Sequence, residues 1–124
     1  MTWTAARAAL DGRMATLSIG TAKIAWPNMP LTAQTALYYQ VDFLPATVAP
    51  EIGGPAHEGG IYQVTVCAPA GAGLGDALAK AQAVSDHFNR QRLGSIFTGV
   101  PTLGPPLQEP NWLRIPVSIP FAHL

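Results

Sequence analysis

Between Gly59 and Leu93 the chain changes its hydrophobic period, and the change fixes the unit that any fold must accommodate. Tyr62, Val64, Val66 and Ala68 share one side of an extended run, with Gln63 and Thr65 on the other. That is the pattern of a strand with one buried face. After the joint Gly71-Ala72-Gly73, the residues Leu74, Ala77, Leu78, Ala81, Val84 and Phe88 recur at spacings of three and four, so they form one apolar stripe of a helix. Asp76, Lys80, Asp86 and Arg90 lie away from the stripe, each acid four residues before a base, the favourable order on a helix surface. The reading is strand, glycine turn, helix.

A glycine turn between a strand and a helix invites a phosphate-binding reading, and the residues argue against it. The third glycine of a dinucleotide fingerprint would fall at Asp76, which puts a carboxylate where pyrophosphate would sit. No Lys-Ser or Lys-Thr pair follows, so the cradle of the nucleotide triphosphatases is missing as well. Flexible glycines with Asp76 opening the helix account for the stretch.

At 124 residues the chain fits a single domain over 1–124. Only 11% of it is charged, and seven bases balance seven acids, so net charge recruits neither nucleic acid nor a membrane surface. A small protein with so few surface ions tends to associate with neighbours. Cys67 is the one cysteine, which excludes an intramolecular disulfide, and its place in a strand makes it a small buried hydrophobe. Neither a signal peptide nor an apolar run long enough to span a membrane is legible, so a soluble, non-exported protein is expected.

Earlier in the chain, Thr2 is positioned to cap a helix with Trp3, Ala6, Leu10, Met14 and Leu17 on one face, ending before Gly20. Ala22 to Trp26 forms a short strand stopped by Pro27, and Asn28 to Thr35 is rich in turns. From Ala36 to Leu44, Leu37, Tyr39, Val41 and Phe43 alternate with Tyr38, Gln40 and Asp42, giving a strand that Pro45 should end. Three prolines and four glycines between Pro45 and Gly60 describe a long mobile loop joining two strands that could pair antiparallel. Past the central helix, Ile96-Phe97 and Val100 to Leu103 offer only broken strand. Leu113, Ile115, Val117, Ile119 and Phe121 then form the apolar face of a last strand. Pro116 and Pro120 remove two donors from one side of it, which places it at a sheet edge. The class is α+β: a small, largely antiparallel or mixed sheet of about four or five strands, with two helices packed on one face.

No catalytic pattern stands out. His57, His87 and His123 have no metal-ligand spacing with each other or with Cys67. His57-Glu58 lies in the expected loop, where positioning for chemistry is poor. His87 sits at the margin of the helix stripe, as a boundary residue would. Gly-x-Ser-x-Gly is absent, and the aromatic residues lack the interleaved bases of a nucleic-acid surface.

The run Ile24-Ala25-Trp26-Pro27-Asn28 after an N-terminal helix, then Tyr38 to Pro45, Glu58 to Val66, the glycine loop with its helix, and the closing Pro116-Val117-Ser118-Ile119-Pro120-Phe121 together resemble the phage tail-terminator-like proteins. That family is related to the minor tail protein U of lambda-like siphophages. The resemblance covers nearly the whole chain and implies a structural role without a cofactor. Six copies would form a ring that caps the growing tail tube, halts its polymerisation and offers a surface for head joining. The implied partners are further copies of the chain, the major tail tube protein and a head-completion protein, in the bacterial cytoplasm during assembly and then in the virion tail. Low surface charge and a long loop suit a ring subunit. His57, Glu58, Arg90 and Arg92 are the candidate contacts of such an assembly. The alternatives are a small ligand-binding domain or enzyme using the Gly71 to Asp76 loop with His57 or His87, and a head-completion or adaptor subunit.

Overall fold

In chain order the elements are α1 (Trp3–Ala15), β1 (Lys23–Ala25), β2 (Tyr38–Val48), β3 (His57–Pro69), α2 (Gly75–Phe88), β4 (Arg92–Leu93), β5 (Ile96–Thr98), β6 (Thr102–Leu103), β7 (Leu107–Gln108) and β8 (Trp112–His123). The computed structural model describes residues 3–17, 23–26, 37–48, 57–71, 74–94 and 96–123. The Thr2 cap, the helix end at Gly20, the turns over Asn28 to Thr35 and the 49–56 tip of the expected loop lie outside them.

Three long strands form the centre of the sheet. β2 and β3 pair antiparallel from Tyr38↔Cys67 to Val48↔His57, and β3 and β8 from Gly59↔Ala122 to Pro69↔Trp112. β1 joins β2 in parallel, so the sheet is mixed, in the order β1-β2-β3-β8-β5-β4 with β6 and β7 also on β8. Among the described residues the class is α+β with two helices, as expected, but the sheet has 8 strands where four or five are expected.

The difference comes from the prolines of β8. β5 pairs with residues out to Phe121, β6 with Val117 and Ser118, and β7 with Leu113 and Arg114. The gaps between these pieces fall at Pro120 and Pro116. The carbonyls of those two prolines accept hydrogen bonds from the N–H groups of Gly99 and Gly104, at 2.8 Å each. Their ring nitrogens therefore face the same side and give the facing chain no donor, so that chain pairs in short pieces. The expectation that β8 is an edge strand is overturned. The donor-poor side that was to be left open is covered by β5, β6 and β7, and the opposite side pairs without a break to β3.

Pro45 does not end β2, which runs on to Val48. Val64 pairs with Val117, one step from Pro116, so alternate residues of β3 address β8 and the others, Ile61, Gln63 and Thr65, address β2. By the same alternation the Pro45 nitrogen points away from β3, the side on which an edge strand tolerates proline. The expected loop between Pro45 and Gly60 is shortened at both ends accordingly, because 45–48 and 57–60 are strand.

Packing follows the two periods. Tyr39, Val41, Tyr62, Val64, Val66, Ile115, Val117 and Ile119 are each at most 1% exposed and meet Ala6, Leu10 and Met14 of α1 with Ala77, Ala81, Val84 and Phe88 of α2 in one core. The α2 stripe is narrower than the spacing implies, since Leu74 and Leu78 are 46% and 43% exposed. Asp76 makes no capping bond. Leu74 occupies the N-cap position, and Asp76 lies in the first turn, where its charge complements the helix dipole. Asp86 is held by the Gln82 amide at 2.9 Å instead of by Arg90, which lies beyond the helix end.

Candidate functional site

With one face of β2, β3 and β8 turned to the helices, the registers sort the other face into cross-strand rows. One row is Tyr38, Cys67, Arg114 and Leu107; the next is Gln40, Thr65 and Pro116; then Asp42, Gln63, Ser118 and Thr102; then Leu44, Ile61 and Pro120. Glutamine, carboxylate and hydroxyl groups thus form a polar belt. The segment bearing Leu107 and Glu109 overhangs it and closes a cleft of about 440 Å³ with Gln40, Asp42, Gln63 and Arg114. Beyond the belt the face turns apolar: Leu44 is 49% and Ile61 39% exposed, with Pro120 exposed beside them.

At the other end of the belt Arg114 organises a cluster. Its Nε meets Glu109 Oε1 at 2.6 Å, and its Nη1 donates to Cys67 Sγ at 3.0 Å. Burial pushes the Cys67 thiol up, with Tyr38 and Arg114 pulling the other way. Burial, then the neighbouring Cys67, raise the Tyr38 phenol. The Tyr38 ring meets Trp112 edge-on, with centroids 5.1 Å apart. Cys67 is buried as expected, but it packs against a guanidinium rather than only among hydrocarbon. Arg114 was not singled out in the sequence; its place between Leu113 and Ile115 marks it as a residue of the non-core face and says nothing of its partners.

The expected assembly residues fall toward one end of the sheet. His57 and Glu58 are the first residues of β3, opposite Val48 and Thr47, and not part of a free loop. From neighbouring Gly59 the pairings run Gly59↔Ala122, Ala122↔Phe97 and Phe97↔Arg92, three strand spacings or roughly 14 Å across. Arg92 is exposed and lies over the Phe97 ring, 5.1 Å from its centroid. Arg90 turns the chain between α2 and β4 with a left-handed φ of 50, and its N–H donates to the Gly99 carbonyl at 3.0 Å. Thr98 Oγ1 holds the same turn by accepting from the Gln91 N–H at 2.7 Å and donating to the Phe88 carbonyl.

The groups of the ligand-binding alternative do not meet. The cleft beside the glycine turn, about 500 Å³, is lined by Pro69, Gly71, Leu74, Pro106, Gln108 and Leu113, none of them titratable. His87 lies at the far end of α2, roughly 18 Å along the axis. There its Nε2 donates to the Arg13 carbonyl at 2.8 Å, while Arg13 Nε and Nη2 donate to the His87 carbonyl at 3.0 and 2.9 Å. The two helix ends cap each other through this exchange, which is a structural use of the histidine. Among the described residues no three His, Cys, Asp or Glu side chains are grouped to hold a metal ion, and no helix is long and apolar enough to cross a membrane.

Comparison with known proteins gives one family. The model of the phage tail terminator protein family matches residues 5–121, which takes in elements from α1 to β8. No curated protein matches. Among solved structures, one aligns over 100% of this chain and 96% of its own, with a TM-score of 0.72 and 24% sequence identity, a likeness of fold.

Proposed function

Because the chain belongs to the phage tail terminator family, a family of structural tail proteins, we propose that it caps the tail tube, stops tube polymerisation and presents a surface for head joining. The observation that carries the reading is the match over 5–121, which leaves only a few residues at each end outside it. The protein acts as a ring of six copies at the tube end, assembled in the host cytoplasm and retained in the virion tail. Its partners are the major tail tube protein below and a head-completion protein above. The end of the sheet that gathers His57, Glu58, Arg90 and Arg92 is assigned to assembly contacts. A chain of which only 11% is charged, with exposed leucines, supports such a role, because association then proceeds without desolvating many ions.

The test is tube growth. Purified tail tube subunits are polymerised with and without the protein, and tube lengths and ends are measured by electron microscopy. Tubes that stop short and carry a ring at one end are the expected result. Unchanged lengths with bare ends overturn the reading, and binding to heads but not to tube ends turns it into an adaptor role.

A further inference from the structure

We infer that the polar cleft on the open sheet face is a receptor for arginine: it takes the guanidinium group of an arginine side chain presented by a partner protein. The floor of the cleft is a two-by-two patch, in which the register sets Gln40 beside Thr65 and, two residues along each strand, Asp42 beside Gln63. Such neighbours stand roughly 5 Å apart across the strands and about 7 Å along them, so four polar side chains converge on one small area. The fold leaves two of them without partners. Thr65 is only 8% exposed, yet among the described residues its hydroxyl meets neither a donor nor an acceptor, a state that buried hydroxyl groups avoid. Asp42 is half-buried, and among the described residues no cation pairs with it.

The charges name the occupant. Glu109 and Arg114, on the wall, neutralise each other at 2.6 Å, so the uncompensated charge of the cleft is the Asp42 carboxylate and the ligand is a cation. Beside that carboxylate stand neutral acceptors: the Gln63 amide, the Thr65 oxygen and Gln40 Oε1, which Arg114 Nη1 reaches only at 3.4 Å. An ammonium is a point charge that a carboxylate largely satisfies alone, whereas a guanidinium spreads its donors in a plane and matches a carboxylate with several acceptors around it. Leu107, 54% exposed, and Pro116 supply apolar walls for the methylene stem. The volume of about 440 Å³ lies in the range of sites that enclose whole small ligands, so the arginine and the backbone that carries it both have room. The arginine comes from another protein, because four of the five in this chain are engaged within it: Arg7 with Asp11, Arg13 with the His87 carbonyl, Arg92 over Phe97 and Arg114 with Glu109.

The experiment uses the protein alone, so its outcome is independent of tube capping. Isotope-labelled protein is titrated with Nα-acetyl-L-arginine methylamide and, separately, with the lysine and citrulline counterparts and with spermidine, while backbone and glutamine amide signals are followed by NMR. The arginine probe should saturate with a Kd on the order of 1–10 mM and move the signals of residues 40–42 and 63–65. The lysine probe should bind several-fold more weakly, and the uncharged citrulline probe should not saturate. Asp42→Asn should weaken the arginine probe at least roughly tenfold, and Thr65→Val should weaken it by a smaller factor. Thr65→Val should also be at least as stable to urea as the wild type, because it removes a hydroxyl that has no partner. A destabilised Thr65→Val protein overturns the inference, since the hydroxyl then has a partner inside the fold. So does equal binding of arginine and lysine, the lack of a saturable shift in the cleft, or an unchanged affinity in an Asp42→Asn protein that melts as the wild type does. Tighter binding of spermidine than of the arginine probe makes the cleft a polyamine site, and self-association that Asp42→Asn abolishes makes the occupant a second copy; either result overturns the assignment to a partner protein.

Discussion

Gly104 sits directly on Pro116: its N–H donates to the Pro116 carbonyl at 2.8 Å, and a Cβ added to it would lie 2.7 Å from the proline Cγ. Gly99 bears the same relation to Pro120, with 3.0 Å available. Each proline of β8 is thus matched by a glycine that lets the broken outer strand approach it. Gly104→Ala should lower stability by about 1–3 kcal/mol, as overpacking does, and Gly99→Ala by less. Adding Pro116→Ala to Gly104→Ala should recover part of the loss, because the clashing ring is gone. Urea unfolding of the three variants checks this; a Gly104→Ala protein as stable as the wild type would show that the contact does not constrain the fold.

These glycine and proline pairs also mark where the sequence was legible and where it was not. Period two in β3 and β8 identified the core faces correctly, because burial on one side of a strand leaves a trace at every second residue. Pro116 and Pro120 signal a loss of donors on one side, and the structure has both facing that side. What covers that side is chain 12 residues away at Gly104 and 21 at Gly99, and those two glycines become meaningful only once the register is known. Pro45 does not stop β2 for a similar reason: β1 pairs with β2 only as far as Gln40, so on the side that the Pro45 nitrogen faces the missing donor breaks no pairing with β1. His57 and Glu58 fall in the expected loop by composition, yet they begin β3. Leu44 and Ile61 carried a signal that local pattern cannot weigh: each is an apolar residue on the solvent side of its strand, and their adjacency emerges only from pairing.

The exchange between Arg13 and His87 joins the C-terminal ends of α1 and α2, where carbonyl groups lack helical partners and the dipoles are negative. Arg13→Ala removes two charge-assisted donors from one carbonyl and should cost roughly 1.5–3 kcal/mol. His87→Ala removes the reciprocal donor and should cost about 1 kcal/mol. Because both bonds need the same approach of the helix ends, the double variant should be less destabilised than the sum, with a coupling of at least about 0.5 kcal/mol. A double-mutant cycle by chemical denaturation measures it, and strict additivity would mean that the two caps act independently.

Tyr62 is fully buried against Phe88, and its hydroxyl donates to Asp11 Oδ1 at 2.5 Å; Arg7 pairs with the other oxygen at 3.2 Å. Burial first, and then the carboxylate, raise the Tyr62 phenol above its ordinary value of 10.0. The unfolded chain therefore releases this proton as pH passes that value while the native chain keeps it. The stabilisation is whole below pH 10 and declines above it, by up to about 1.4 kcal/mol per pH unit for this one group. Tyr62→Phe should cost roughly 1.5–3 kcal/mol at neutral pH. It should also flatten the alkaline limb of the stability curve in part, since Tyr38 and Tyr39 are raised too. Denaturation midpoints between pH 8 and 11 for wild type and variant decide it; parallel curves would remove Tyr62 as a source of the slope.

Cys67 should be chemically silent in the native protein despite the guanidinium beside it. A neighbouring cation favours the thiolate, but here burial outweighs it: the side chain is fully buried and its thiol is raised. Reaction with an aromatic disulfide reagent at pH 8 should therefore proceed at the rate of opening rather than at the rate of an accessible thiol. Denaturant just below the unfolding midpoint should accelerate it in step with the unfolded fraction. Arg114→Ala tests the arrangement further, because it removes the side chain that lies against Sγ and leaves Tyr38 and the strand pairing in place. That variant should react faster at equal stability by a locally opened route. Equal labelling rates in the two proteins would show that strand burial alone, and not Arg114, shields the sulfur.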